Sequence, residues 1–448
     1  MKSGVKTHLK MIVPSLFAVI LFLIPVEYNG SSELIVGILG DWIQTALGDA
    51  LIPLLVAIIV ADAALSLACR LLPLPFVKKN PQLKELFSPS LFWLVTRVIG
   101  GVLAVLTYFQ LGPEAVWSAD TGGNMLTSIL PSCIMWYIIG GFFLSLLTDY
   151  GLMDLLSSLF TKVARRLFCV PGRAMIDCVT SWMGSSVCGT YLTISQYESG
   201  QYNAKETAII ICNFSMLSVS FCSLIANMLD FNDIFPQFYL TIAIASLLCA
   251  VILPRLWPLR SMSTAYDARS GKQANEDTPQ GVNGLQWGYR QALARAAGAP
   301  GPVGFLRAGA YNVVNLIITT LPNMMAFGTI ALVLANYTSL FDYLGIPLGM
   351  YLQLFQVPDA MEAGSSIMVG FADQFIPVIV GSSMTATLTK FVLGTISIIQ
   401  IVYISDIGTL ILTSRVPLNL GHLFVIFLER VLISIPVVVL CAHLFGIA

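Results

Sequence analysis

The chain has 448 residues, 56% hydrophobic and 10% charged, with a formal net charge of −1. Globular domains carry roughly a quarter charged residues, so a soluble globular surface of this size is excluded, and the near-neutral balance argues against a nucleic-acid partner. The apolar excess falls in runs such as Ile12–Val26, Leu51–Leu67 and Phe235–Leu253, long enough to cross a bilayer as helices and too continuous for the alternating strands of a membrane barrel.

Taken in chain order, the first run, 9–26, reaches Pro25-Val26-Glu27 without a small-residue cleavage site. It is expected to stay as a membrane helix and not be removed as a signal. Further spans follow near 50–69, 89–110, 124–147, 204–229, 235–254, 308–334, 385–411 and 420–446. Two stretches, 172–202 and 358–384, are too broken by Gly, Ser and acidic residues for simple spans, and amphipathic pieces near 151–168 and 339–356 precede them. Each broken stretch begins and ends on one side, so each is read as a re-entrant hairpin. Irregular backbone at membrane depth is tolerated only inside protein or beside water. The predicted fold is an all-α polytopic membrane protein with about nine transmembrane helices plus two re-entrant hairpins.

Positive charge fixes the expected orientation. With the N-terminus inside, the inner segments hold Lys2, Lys6, Lys10, Lys78, Lys79, Arg165, Arg166, Arg255, Arg260 and Arg415 among others. The outer segments, 27–49, 112–123, 230–234 and 335–384, hold no Lys or Arg but carry Glu27, Asp41, Glu114, Asp233, Asp359 and Asp373. The chain is therefore expected in an inner membrane with its N-terminus cytoplasmic.

A polar segment, 261–303, reads as a flexible cytoplasmic linker. The halves on either side look alike. Leu130-Pro131, Val170-Pro171 and Gly184-Ser185-Ser186 in the first are echoed by Leu321-Pro322, Val357-Pro358 and Gly364-Ser365-Ser366 in the second. A further Gly381-Ser382-Ser383 leaves the alignment open. The expected organisation is a three-helix scaffold at 1–111, a first repeat unit at 124–257, a linker at 258–306 and a second repeat unit at 307–448. The two units enter the membrane from opposite sides, which makes an inverted-topology repeat of the kind found in many secondary transporters.

Ionisable groups inside spans are costly and become functional candidates. Asp62 and Arg97 fall at similar depth on antiparallel spans and are expected to form a structural ion pair. Glu429 and Arg430 are adjacent on the last span and so point about 100° apart. The candidate substrate-binding set is Asp177, Ser185, Ser186, Glu198 and Asn213 from the first unit, with Ser365, Ser366, Asp373 and Asp406 from the second. If the repeat brings them together, carboxylates there would carry Na⁺ or H⁺ while hydroxyls and amides orient a solute. The nine Cys form no CxxC pair and read as packed hydrophobes. His8, His422 and His443 lie far apart, so no metal spacing and no cofactor motif are seen. HExxH, GxSxG and a GTP-binding P-loop are absent, which argues against a membrane enzyme.

The stretches MIVPSLFAVILFLIPVEYNG, LGDALIPLLVAIIVADAALSL and VGSSMTATLTKFVLGTISIIQIVYISDIGTLILTS resemble the YjiH-like bacterial inner-membrane proteins, which carry the nucleoside recognition, or Gate, domain. The Gate-like part lies at about 130–250. The resemblance implies solute transport, since the domain is also associated with concentrative nucleoside transporters. No counterpart of the Asn-Glu-Phe-Val-Ala element of those transporters occurs, so no nucleoside-binding residues are carried over. The expected function is a secondary transporter of a small polar organic solute (nucleoside-like, amino acid or peptide-derived). The alternative is a non-transporting partner of a second Gate-domain membrane subunit, or of further copies of itself as a homo-oligomer.

Overall fold

The computed structural model describes residues 5–28, 31–72, 83, 86–183, 186–215, 219–273 and 284–447. Among them, seven helical segments are long and apolar enough to cross a membrane: Gly37–Leu71, Leu91–Tyr108, Glu114–Phe143, Phe235–Arg255, Pro302–Tyr337, Thr387–Thr413 and Leu420–Leu444. The chain is a multi-pass helical membrane protein.

One predicted span differs. The first predicted run forms helix α1 (Val5–Leu23), whose described apolar stretch is Thr7–Leu21. The expected span 204–229 is two half-helices, α9 (Ala204–Phe214) and α10 (Val219–Met228). A small antiparallel hairpin, Pro25–Tyr28 with Ser31–Leu34, interrupts the otherwise helical fold.

Between these lie α2 (Ile35–Leu47), α3 (Leu51–Leu71), α4 (Leu91–Tyr108), α5 (Leu130–Thr148), α6 (Leu152–Val163), α7 (Ala174–Met183) and α8 (Ser186–Glu198). Helices α7 and α8 form a hairpin. Thr193 donates to Asp177, and a Cβ on Gly189 would overlap Ser181, so both pairings centre on residue 185. Then come α11 (Phe235–Ile252), α12 (Gly284–Gly298) and the 36-residue α13 (Pro302–Tyr337). There follow α14 (Leu340–Leu354), short α15 (Ala360–Val369) and α16 (Ile376–Ser383), broken α17 (Thr387–Ile399) with α18 (Thr409–Thr413), and long α19 (Leu420–Leu444). Helices α14 and α15 pack backbone to backbone, since a Cβ on Gly364 would overlap Gly349 and one on Gly345 would overlap Ser365.

The linker expectation is corrected at 284–298. The run Gln-Ala-Leu-Ala-Arg-Ala-Ala is built of strong helix formers, and α12 packs against α6 and α1. Arg295 Nε stands 2.5 Å from Asp154 Oδ2, and His8 Nδ1 lies 2.8 Å from the Tyr289 hydroxyl. Residues 274–283 lie outside the described part.

The Asp62–Arg97 pair forms across α3 and α4 at 3.1 Å, with both groups buried. Arg97 Nη1 also donates to Ser66 Oγ at 3.1 Å and to the Leu86 carbonyl at 2.9 Å.

Candidate functional site

The second break shows how a helix is interrupted inside the bundle. Helix α17 ends at Ile399, residues 401–403 are non-helical, and Ile404–Gly408 form a π turn leading into α18. Ile401 takes φ 56°, a left-handed conformation that is costly for a β-branched residue. The loop between α15 and α16 takes up the freed peptide groups. Gln400 Nε2 donates to the Gly370 carbonyl at 3.0 Å, Ile404 N to Phe371 O at 2.9 Å and Ser405 N to Ala372 O at 3.1 Å. The first break is tied to its own hairpin by the Thr190–Ser215 hydroxyl pair at 2.8 Å.

Arg430 on α19 joins the two breaks. Fully buried, it donates from Nε to the Ile399 carbonyl at 2.7 Å, and from Nη1 to the Cys212 carbonyl at 2.9 Å and Asn213 Oδ1 at 3.2 Å. Ile399 ends α17, and Cys212 lies in the last turn of α9. Each helix C-terminus carries roughly −0.5 elementary charge, so two of them together offset one guanidinium. Among the described residues no carboxylate pairs with Arg430.

Beside the second break lies a cavity of ≈ 500 Å³. Asn124, Thr127 and Ser128 face it from the turns that lead into α5, Ser132 and Cys133 from the first turn of α5, Ser186 from the tip of the first hairpin and Phe221 from α10. Asp373, Gln374 and Phe375 contribute from the loop before α16, and Tyr403, Ser405 and Asp406 from the break. Asp406 accepts from the Tyr403 hydroxyl at 3.3 Å and from Cys133 Sγ at 3.6 Å. Asp373 accepts from Ser405 Oγ at 2.8 Å and from the Phe375 amide at 2.8 Å. A second cavity of ≈ 410 Å³ shares Gln44 and Thr127 with the first and is lined by exposed Asp41, Thr45 and Gly48. The main cavity thus adjoins the end of the bundle whose connecting segments lack Lys and Arg.

Three predicted site residues, Ser186, Asp373 and Asp406, line this cavity. Ser185 lies outside the described residues. The expected convergence of the rest is corrected. Asp177 is fully buried within the hairpin, held by Thr193 at 3.0 Å, and helical rise places it about 10 Å from the hairpin tip. Glu198, twelve residues beyond Ser186 and so about 18 Å along α8, faces Arg415 at 3.9 Å. It lines a separate polar cavity of ≈ 160 Å³ with Asn315, Thr319 and Thr413. Asn213 serves Arg430. Ser365 packs under Gly345, and Ser366 is buried away from the cavity. Sequence reading passed over Tyr403, Ser405 and the 124–133 hydroxyls. The polar run Tyr-Ile-Ser-Asp inside an apolar span was the available signal. Among the described residues, no three His, Cys, Asp or Glu side chains cluster as metal ligands.

Residues 130–232 match the family profile described as Gate, nucleoside recognition. An uncharacterised protein of Alkalihalophilus pseudofirmus, BpOF4_10220, is 39% identical over 437 residues, covering 98% of this chain and 94% of that protein. A solved structure of a CNTnw double variant in an outward-facing state aligns over 98% of both chains with TM-score 0.43 and 12% identity. CNTnw in an inward-facing substrate-bound state aligns over 99% of this chain and 98% of its own with TM-score 0.37 and 13% identity.

Proposed function

We propose that this chain, which belongs to the family of the uncharacterised protein BpOF4_10220, is a secondary transporter that carries a small polar organic solute across a bacterial inner membrane by alternating access. The observation that carries the reading is the ≈ 500 Å³ cavity bounded by a hairpin tip, Ser186, and by a helix break, 403–406. Discontinuous helices presenting polar backbone and side chains to a central cavity are how secondary transporters hold solutes and coupling ions. The volume suits a small organic molecule, and ionisable groups at such a depth mark solute or ion pathways. The match of residues 130–232 to the nucleoside recognition profile supports the same reading.

In this reading the two halves form an inverted repeat and the N-terminus is cytoplasmic. The main cavity then opens outward, and the smaller cavity at Glu198 and Arg415 marks the closed inner path. Asp373 and Asp406 carry the coupling ion, Na⁺ or H⁺, or contact the solute directly. The chain performs no catalysis in this scheme.

Purified protein in liposomes should take up a solute from a panel of nucleosides, amino acids, dipeptides and carboxylates when a Na⁺ or H⁺ gradient is imposed. Uptake should collapse with an ionophore and fall at least tenfold in Asp406→Asn. No uptake from the whole panel under either gradient would leave the alternative, a membrane partner protein, as the better account.

A further inference from the structure

Resting on that transport reading, we infer that the cavity selects solutes bearing a protonated amino group. Hydrogen-bonding capacity along the wall decides which solute fits. The lining holds two carboxylates and, among the described residues, no Lys, Arg or His. Its hydroxyl donors are largely turned inward. Thr127 donates to the Gly123 carbonyl at 2.8 Å and Ser132 to the Ser128 carbonyl at 3.0 Å. Ser405 donates to Asp373 and Tyr403 to Asp406. A hydroxyl that has spent its proton offers only lone pairs. The cavity therefore presents carboxylate and hydroxyl acceptors, which a solute must meet with donors.

An ammonium group supplies three donors and a positive charge, and charge-assisted bonds to carboxylates are the strong ones. Its counterpart on this wall is the Asp373–Ser405–Asp406 run, where two acidic groups share one stretch of cavity. Phe221 and Phe375 flank the same stretch, with ring centroids 5.0 Å apart. Their faces give an apolar wall that also attracts cations. The donors left on the lining are the Ser128 and Ser186 hydroxyls and the amides of Gln44, Asn124 and Gln374, suited to a neutral or anionic remainder of the solute. Amino acids and short peptides have this layout, an ammonium at one end and oxygen acceptors at the other. A neutral nucleoside leaves the two carboxylates without a positive partner.

The test is binding to full-length protein in nanodiscs, measured by calorimetry and by thermal shift, with matched probes. Leucine and N-acetylleucine form one pair, alanylglutamine and its N-acetyl form a second, and uridine is the neutral control. At least one amine should bind at least tenfold more tightly than its acetylated partner. Asp373→Asn and Asp406→Asn should each weaken that binding at least tenfold while preserving the melting profile of the empty protein. Because a peptide α-amino group titrates near pH 8, dipeptide affinity should fall above about pH 8, following the ligand. Equal binding of an amine and its acetylated partner overturns the inference, as does uridine binding that both variants leave intact. Silence from every amine overturns it too. Uptake of a neutral solute in the liposome assay would sink the amine rule while leaving transport standing.

Discussion

Arg430 is the residue whose loss should be felt most sharply. In Arg430→Met the side-chain volume is nearly kept, but three acceptors, the Ile399 and Cys212 carbonyls and Asn213 Oδ1, lose their donor. Orphaning a buried acceptor costs about 1–3 kcal/mol. Interhelical bonds measured in membranes fall near the low end, about 0.6 kcal/mol. Removing the charge also removes its own desolvation cost, which offsets part of the loss. The net expectation is about 2–4 kcal/mol of destabilisation, concentrated at the junction of the two breaks. Arg430→Lys keeps the charge but not the fork that reaches two helix ends, and should recover about half. Adding Asn213→Leu to Arg430→Met removes one of the orphaned acceptors. The double variant should therefore be less destabilised than the two single effects summed, by about 1 kcal/mol. Unfolding in detergent, followed by heat or SDS titration, reads these differences. Arg430→Met within about 0.5 kcal/mol of the parent, with no coupling to Asn213, would refute the idea that this guanidinium ties the two half-helix ends together.

Other expectations follow from the same geometry. Asp62→Asn or Arg97→Met alone should destabilise by about 3–5 kcal/mol, since each leaves a buried partner uncompensated, whereas replacing both with apolar residues should be much closer to neutral. Melting curves of the three variants check this. Gly364→Leu should prevent α14 and α15 from closing and lower the yield of folded protein in size-exclusion chromatography. Arg415→Ala removes a partly exposed contact to Glu198 at 3.9 Å and to Asp267 at 3.3 Å. Such pairs contribute at most about 1 kcal/mol, so stability should barely change, while labelling of Glu198→Cys by a thiol reagent should rise. Trypsin should spare Arg290 and Arg295 in α12 relative to Arg269, because the helix is packed, and cleavage at all three at one rate would contradict that packing.

The membrane-protein class was legible because long apolar runs have one solution in lipid. The Asp62–Arg97 pairing was legible because depth and antiparallel direction alone bring the two together. Asp373, Asp406 and Ser186 could be proposed since charge or a Gly-Ser turn at membrane depth is rare. The breaks at 215 and 400 were not legible. Phe-Ser and Gln-Ile-Val carry no Pro or Gly, and hydropathy averages over them. What interrupts α17 is a bond set offered from residues 370–372, thirty positions away. The same holds for Arg430, whose partners are carbonyls that no side-chain pattern announces. Asp177 and Glu198 were misplaced because they share a hairpin with Ser186, and distance along a hairpin is depth in the bundle. The helix at 284–298 was hidden by its polar composition, though its alanines favour it.

Alternating access requires that one cavity be reached from both sides of the membrane in turn. The direct measurement places a single cysteine at Ser186 in an otherwise cysteine-free chain and applies a membrane-impermeant thiol reagent to vesicles of each orientation. Reaction from both faces is expected. A crosslink that fixes the outward-open arrangement should abolish the inner-face reaction alone. Reaction from one face only, with or without the crosslink, would contradict it.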